Sequence, residues 1–232
     1  MIRKRPIIAI DGPVGAGKSV AARELARDLG FSYLNTGAMY RAVAIAAREA
    51  GISPDDPNVE QRLASILKGI KIKFDGEKIL LNGRDVTAMK DDPEIGELAS
   101  RFSAIGSVRE RMRELQQAAG ADGGVVMEGR DIGTAIFPDA EYKFFLDADV
   151  KTRAHRRYAE LRKKGASITE DEVLEQLVER DRRDSGRELA PLKRADDATV
   201  IDSTNLSIDA VVAAMKAKIN DRNNAGKDLK RA

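Results

Sequence analysis

The residues best suited to chemistry are Gly12, Gly15, Gly17, Lys18 and Ser19, and the chemistry their types and spacing suit is phosphate binding. They sit in the stretch Ile7-Ile8-Ala9-Ile10-Asp11-Gly12-Pro13-Val14-Gly15-Ala16-Gly17-Lys18-Ser19, a β-branched run that ends in a glycine-rich turn and opens a helix with Val20. The glycines let the backbone curl so that several N–H groups face inward, and the helix that begins near Lys18 aims its positive dipole end at the same point. Lys18 adds a charge and Ser19 a hydroxyl for Mg2+. The spacing matches G-x-x-x-x-G-K-[ST] in the strand–turn–helix context that the motif requires. By itself the loop does not say which phosphate chemistry it serves.

A second set of candidates is basic. Arg180, Asp184 and Arg187 fall at i, i+4 and i+7, on one face of a helix that ends near Gly186, with Arg183 alongside. Like charges so spaced repel unless an anion or carboxylate lies between them, and an oligophosphate would supply the anion. Arg153, Arg156 and Arg157 repeat the pattern on the preceding helix, so the segment is assigned to phosphate binding against the alternative of a solvated basic face. Gly129-Arg130-Asp131 follows a strand directly. Arg130 can fork onto a phosphate. Asp131 accepts hydrogen bonds only, so it suits an amino group such as N4 of cytosine, or else an ion pair with a neighbouring arginine. Glu128, at the tip of the same strand, suits Mg2+ through water. Asp11 serves equally as a brace for the loop or a contact to the metal, and His155 is read as structural.

The elements that must position these residues alternate strand and helix. Val20, Ala21, Leu25, Ala26 and Leu29 recur at helical spacing up to Gly30, and Phe31 to Asn35 is a second strand. Thr36 and Gly37 are read as a turn and cap for a helix over 38–50, and a further helix runs from about Asn58 to Lys68. The period then changes: Ile70, Ile72 and Phe74, Ile79 to Leu81 and Arg84 to Val86, separated by Asp75-Gly76 and Asn82-Gly83, form an antiparallel meander. Helices follow from Asp92-Pro93 to Phe102 and from Val108 to Ala118. Strands at Val125 to Glu128, Tyr142 to Asp147 and Thr199 to Asp202 complete five βα-type strands, with helices at 152–164, 170–183 and 207–219 between and after them. This predicts an α/β P-loop fold, a five-stranded parallel sheet covered by helices on both faces, with ligands gathered at the carboxyl ends of the strands. The core is expected over 1–57, 120–152 and 184–220, with a small antiparallel insertion over 58–119, a helical segment over 153–183 and a fraying tail over 221–232.

Composition sets limits. The 232 residues suffice for one large α/β domain with an insertion, and 42% apolar content for its core. The 40 basic and 38 acidic residues leave a net charge of +2, which gives no argument for a nucleic-acid or membrane surface. With no cysteine and one histidine, thiol nucleophiles, thiolate zinc sites and multi-histidine metal clusters are excluded. No run approaches eighteen apolar residues, and the chain enters its first strand directly after Arg5, so a cytoplasmic protein without membrane, nucleic-acid or protein partners, and a monomer, is expected.

Taken in order, Ile10 to Ser19, Asn35-Thr36-Gly37-Ala38-Met39-Tyr40-Arg41, Glu128-Gly129-Arg130-Asp131-Ile132-Gly133-Thr134, Arg180 to Arg187 followed by Ala190-Pro191-Leu192, and Ile201-Asp202-Ser203-Thr204 resemble the bacterial cytidylate kinase family over nearly the whole chain. The resemblance implies a nucleoside monophosphate kinase that moves the γ-phosphoryl group of MgATP to CMP or dCMP, with 58–119 as its monophosphate-binding insertion and 153–183 as a lid that closes over ATP. It implies that Gly12, Pro13, Val14, Gly15, Ala16, Gly17, Lys18, Ser19 and Val20 hold ATP, with Ser19 and Glu128 serving Mg2+. Thr36, Ser100, Arg109 and Asp131 would read the base, Arg41, Arg130 and Arg180 would hold the CMP phosphate, and Asp184 and Arg187 would touch the ribose. Lys18, Arg130, Arg180 and Arg157 of the lid would follow the moving charge. The alternatives are a P-loop kinase for UMP, shikimate or dephospho-coenzyme A, and a nucleotide-dependent switch; the absence of an Asn-Lys-x-Asp guanine motif speaks against the switch.

Overall fold

The computed structural model describes residues 3–76 and 78–228, without the side chains of 91 and 222–228. The chain divides into two compact units, Met1–Tyr33 with Asp122–Ala232, and Leu34–Ala121.

The first unit is built on a five-stranded sheet. β1 (Ile7–Asp11) is its centre and is buried at every position, which is why its apolar residues run on without alternation. β6 (Val125–Gly129) lies parallel on one side, with Ile7 opposite Val125 and Asp11 opposite Gly129, and β7 (Tyr142–Asp147) lies parallel on the other. β2 (Ser32–Asn35), in which the chain leaves this unit, and β8 (Thr199–Asp202) are the edges, giving the order β2-β6-β1-β7-β8. α1 (Lys18–Leu29) ends at Gly30, whose φ of 60° and N–H bonded to the carbonyls of Ala26 and Arg27 make the expected glycine cap. α1 packs against α8 (Ile208–Asp228) in a core of Leu25, Phe144, Leu146, Val211, Met215 and Ile219. α6 (Val150–Lys163) and α7 (Glu170–Ser185) form a helical pair around Ala154, Leu161, Val173 and Leu177.

The second unit holds α2 (Thr36–Glu49), α3 (Val59–Gly69), α4 (Pro93–Phe102) and α5 (Gly106–Gly120) with the antiparallel sheet β3 (Ile72–Asp75), β4 (Lys78–Leu81) and β5 (Arg84–Asp85). The meander is where the change of period puts it, Ile72 pairing with Leu81 and Leu80 with Asp85.

Three local features differ from the sequence expectation. Asn35 rather than Thr36 caps α2: its side-chain oxygen accepts the Ala38 N–H at 3.0 Å, while Thr36 is buried inside the first turn. The second unit begins at Leu34 rather than 58, because α2 packs on α3, α4 and α5. α8 continues past 220 to Asp228, and the part of the expected tail over 229–232 lies outside the described residues. Among the described residues no helix is long and apolar enough to cross a membrane.

Candidate active site

The loop between β1 and α1 has the backbone its glycines promise. Gly12, Gly15 and Gly17 all have positive φ, at 146°, 79° and 92°. A Cβ on Gly12 would lie 2.0 Å from the Leu146 carbonyl oxygen, and one on Gly15 2.9 Å from the Cβ of Arg153, so neither position admits a side chain. Lys18 is buried, and its Nζ donates to the Pro13 carbonyl at 2.7 Å. Burial is the largest influence on the ammonium and the Arg130 charge acts with it; against the opposing carboxylates of Glu128, Asp11 and Asp184, they lower it to about 7.

Asp11 is a brace. Its two oxygens accept the N–H groups of Ile132 at 2.8 Å and Gly133 at 2.7 Å, tying the end of β1 to a single π turn at Ile132–Ile136 that the sequence pattern does not reveal. Burial pushes its carboxyl up to about 6 in spite of those two donors.

β6 delivers the next residues to the same end of the sheet. Glu128, paired in register with Ile10, is buried and accepts the Tyr33 hydroxyl at 2.7 Å. Arg130 donates from Nε to Asp184 Oδ2 at 2.9 Å, and Arg187 donates from Nη2 to Asp184 Oδ1. Asp184 is thus a buried carboxylate between two guanidiniums; the sequence spacing points to Arg187 as one of them, whereas the other comes from Arg130 after β6. Although burial is the largest influence on it, Arg130, Arg187 and Arg180 together hold it below the usual carboxylate range. Asp131 is buried immediately after β6, at the head of the π turn.

The basic residues of α6 have separate duties. Arg153 is buried and donates to the Ala148 carbonyl at 3.0 Å and the Val14 carbonyl at 3.1 Å, with Asp181 at 2.7 Å. Arg156 donates to Ser203, at 3.1 Å to Oγ and 2.6 Å to the carbonyl, and the Ser203 hydroxyl donates to the Ala16 carbonyl at 3.0 Å. Arg157 donates to Glu160 at 2.7 Å, and His155 lies 3.1 Å from Glu170 on an exposed surface. Arg153 and Arg156 are therefore engaged by protein oxygens, which corrects the reading of the whole segment as a phosphate face. The supports that sequence reasoning missed are Tyr33, Ser203 and Asp181; Asp181 and Ser203 lay in motifs singled out beforehand, Arg180 to Arg187 and Ile201 to Thr204, but without a role.

The remaining candidates lie in the second unit. Arg41 on α2 passes close to Gly37 and Gly96, where a Cβ would come within 3.2 Å and 4.0 Å of its guanidinium. Arg109 on α5 donates to the Ser103 carbonyl at 3.1 Å, and the Ser103 hydroxyl donates to the Ser100 carbonyl at 2.7 Å. Ser100, Ser103 and Arg109 are all buried, so the turn between α4 and α5 brings together two candidates whose surroundings in the sequence are undistinctive. Thr36 is buried in the first turn of α2.

The family model described as cytidylate kinase matches residues 8–221. The cytidylate kinase of Citrifermentans bemidjiense is 49% identical over 220 residues, 93% of this chain and 93% of that protein. Those of Geobacter sp. strain M21 and Thermotoga neapolitana are 50% and 43% identical, each over 93% of this chain and over 93% and 97% of their own length. The chain, with its glycine loop, its parallel sheet and its inserted antiparallel meander, belongs to the cytidylate kinase family of P-loop phosphotransferases.

Proposed function

We propose that this enzyme transfers the γ-phosphoryl group of MgATP to CMP or dCMP, giving ADP and CDP or dCDP, as a cytoplasmic monomer. The observation that carries the reading is the grouping of Lys18 and Arg130 at one end of the sheet, where the Arg130 charge helps to lower the Lys18 ammonium, with Arg187 on the same buried Asp184 as Arg130. A donor and an acceptor phosphate would take charge-assisted hydrogen bonds from these clustered cations.

The attacking group is a phosphate oxygen whose second pKa of about 6 leaves it ionised at neutral pH, so no general base is needed and the protein's work is positioning and charge stabilisation. The backbone of Gly12 to Ser19, with Val20 opening α1, would hold the donor phosphates. Ser19 and the buried Glu128, the latter through water, offer the hard oxygen ligands that magnesium takes; the ion, when bound, would neutralise charge on the donor phosphates. In this reading Lys18, Arg130, Arg180 and Arg157 follow the charge that develops on transfer, and a lid of α6 and α7 excludes water. By the resemblance, Thr36, Arg41, Ser100, Arg109, Asp131, Asp184 and Arg187 would take CMP, with Asp131 on the amino group that cytosine has and uracil lacks. Steady-state ADP release over a panel of CMP, dCMP, UMP, shikimate and dephospho-coenzyme A tests the proposal. The cytidine nucleotides are expected to turn over fastest, and a faster rate with any other acceptor would overturn it.

A further inference from the structure

Arg153 ties three segments that are remote in the chain: the turn after β7 through the Ala148 carbonyl, the nucleotide loop through the Val14 carbonyl, and α7 through Asp181. The link is doubled by packing. The Val14 side chain sits against the α6–α7 cluster of Ala154, Leu161, Val173 and Leu177, and Gly15 lies so close to the backbone of Arg153 that a Cβ there would meet it at 3.0 to 3.3 Å. On α7, Asp181 precedes Asp184 by three residues, so the two carboxylates share a face. Asp181 is held by Arg153 of α6, and Asp184 by Arg130 and Arg187. The second oxygen of Asp181, Oδ1, is buried with no hydrogen-bond partner, so this carboxylate depends on Arg153 for its compensation.

We propose that Arg153 and Asp181 are positioning residues that couple the nucleotide loop to α7, so that ATP phosphates entering the loop ready Arg180, Asp184 and Arg187 for the second nucleotide. This rests on the reading of CMP as the acceptor, although the coupling itself can be observed without CMP. A loop whose Val14 carbonyl is already bonded to Arg153 cannot rearrange without moving that guanidinium, and the guanidinium cannot move without disturbing Asp181.

The test uses the full chain, a non-hydrolysable MgATP analogue and CMP. Asp181→Ala cuts only the arm to α7 and leaves Arg153 its two carbonyls; Arg153→Lys keeps the charge but cannot reach all three acceptors at once, and either variant suffices should the other fail to fold. In the wild type, backbone hydrogen exchange across Glu170–Ser185 is expected to slow on addition of the analogue alone, and CMP affinity in calorimetry to rise about fivefold or more with the analogue present. In the variants the slowing is expected to be lost and the gain in CMP affinity to fall below about twofold. Variants that melt earlier yet keep the wild-type slowing and gain would show a merely structural pair and overturn the proposal, as would a wild type in which the analogue leaves exchange across α7 unchanged. A wild type that fails to bind CMP, with the exchange effect present and lost in the variants, would overturn the acceptor assignment and leave the coupling standing.

Discussion

The Lys18 ammonium is buried, and burial and the Arg130 guanidinium both favour its neutral form, lowering it to about 7. An unfolded lysine titrates near 10.4, at roughly the ordinary value, so between about pH 7 and 10 the folded protein binds fewer protons than the unfolded one. Stability of the nucleotide-free protein therefore rises with pH across that window, and the penalty is fully present below it. Lys18→Met keeps the aliphatic stem and removes the charge, and is expected to raise the thermal midpoint at pH 7, flatten the slope up to pH 10 and remove phosphoryl transfer. Melting curves from pH 6 to 10 check the first two expectations, and a lower midpoint at pH 7 would contradict the burial penalty. Asp131→Asn keeps one acceptor and introduces a donor. If Asp131 reads the base, the preference for CMP over UMP should narrow by about 1–3 kcal/mol in kcat/KM, whereas an unchanged ratio would place base reading elsewhere.

At the scale of elements, helix ends decide how candidate residues are presented. Asn35 and Thr36 are both residue types that cap helices, so their adjacency in the sequence leaves the choice open. The extended backbone of Asn35, φ −91° and ψ 101°, settles it, and Thr36 is drawn into the helix and buried. Asn35→Ala removes an acceptor from the first turn of α2 and is expected to cost about 1 kcal/mol in urea unfolding, whereas Thr36→Ala should leave that cap intact. α7 carries a full capping box, the Thr169 hydroxyl accepting the Glu172 N–H at 3.2 Å and the Glu172 carboxylate accepting the Thr169 N–H at 2.7 Å. That box sets the start of the helix whose far end bears Asp181 and Asp184.

Over the whole molecule, the order β2-β6-β1-β7-β8 puts the strand ahead of the glycine loop between the two strands that lead to Arg130 and to Arg153. The strand runs were legible because buried parallel strands read as continuous apolar stretches, but their lateral order was not, since no local pattern records which strand lies beside which. The first unit depends on α8 closing over α1. Met215, fully buried in that core, is the residue to test: Met215→Ala is expected to cost about 2–5 kcal/mol of stability, measured by denaturant unfolding, through lost burial and a residual cavity. A cost below about 1 kcal/mol would mean that α8 contributes little to that core.

By itself the sequence determined whatever short-range spacing encodes: the strand–loop–helix of the phosphate cradle, the meander, and the helical face shared by Arg180 and Asp184; Arg187, expected on that face, lies beyond the end of α7 at Ser185 and reaches Asp184 from outside the helix. These follow from backbone geometry over a few residues, where position along the chain dictates position in space. Only the tertiary structure decided what long-range partners do with the same residues. Asp11 is a brace because Ile132 and Gly133, 121 and 122 positions away, offer it their N–H groups. Arg153 is engaged by protein oxygens because Val14, 139 positions away, offers it a carbonyl. Lys18 is acidified because folding buries it beside Arg130. A charged side chain takes its role from the dielectric and the counter-charges around it, and those come from segments whose distance in sequence carries no information about their distance in space.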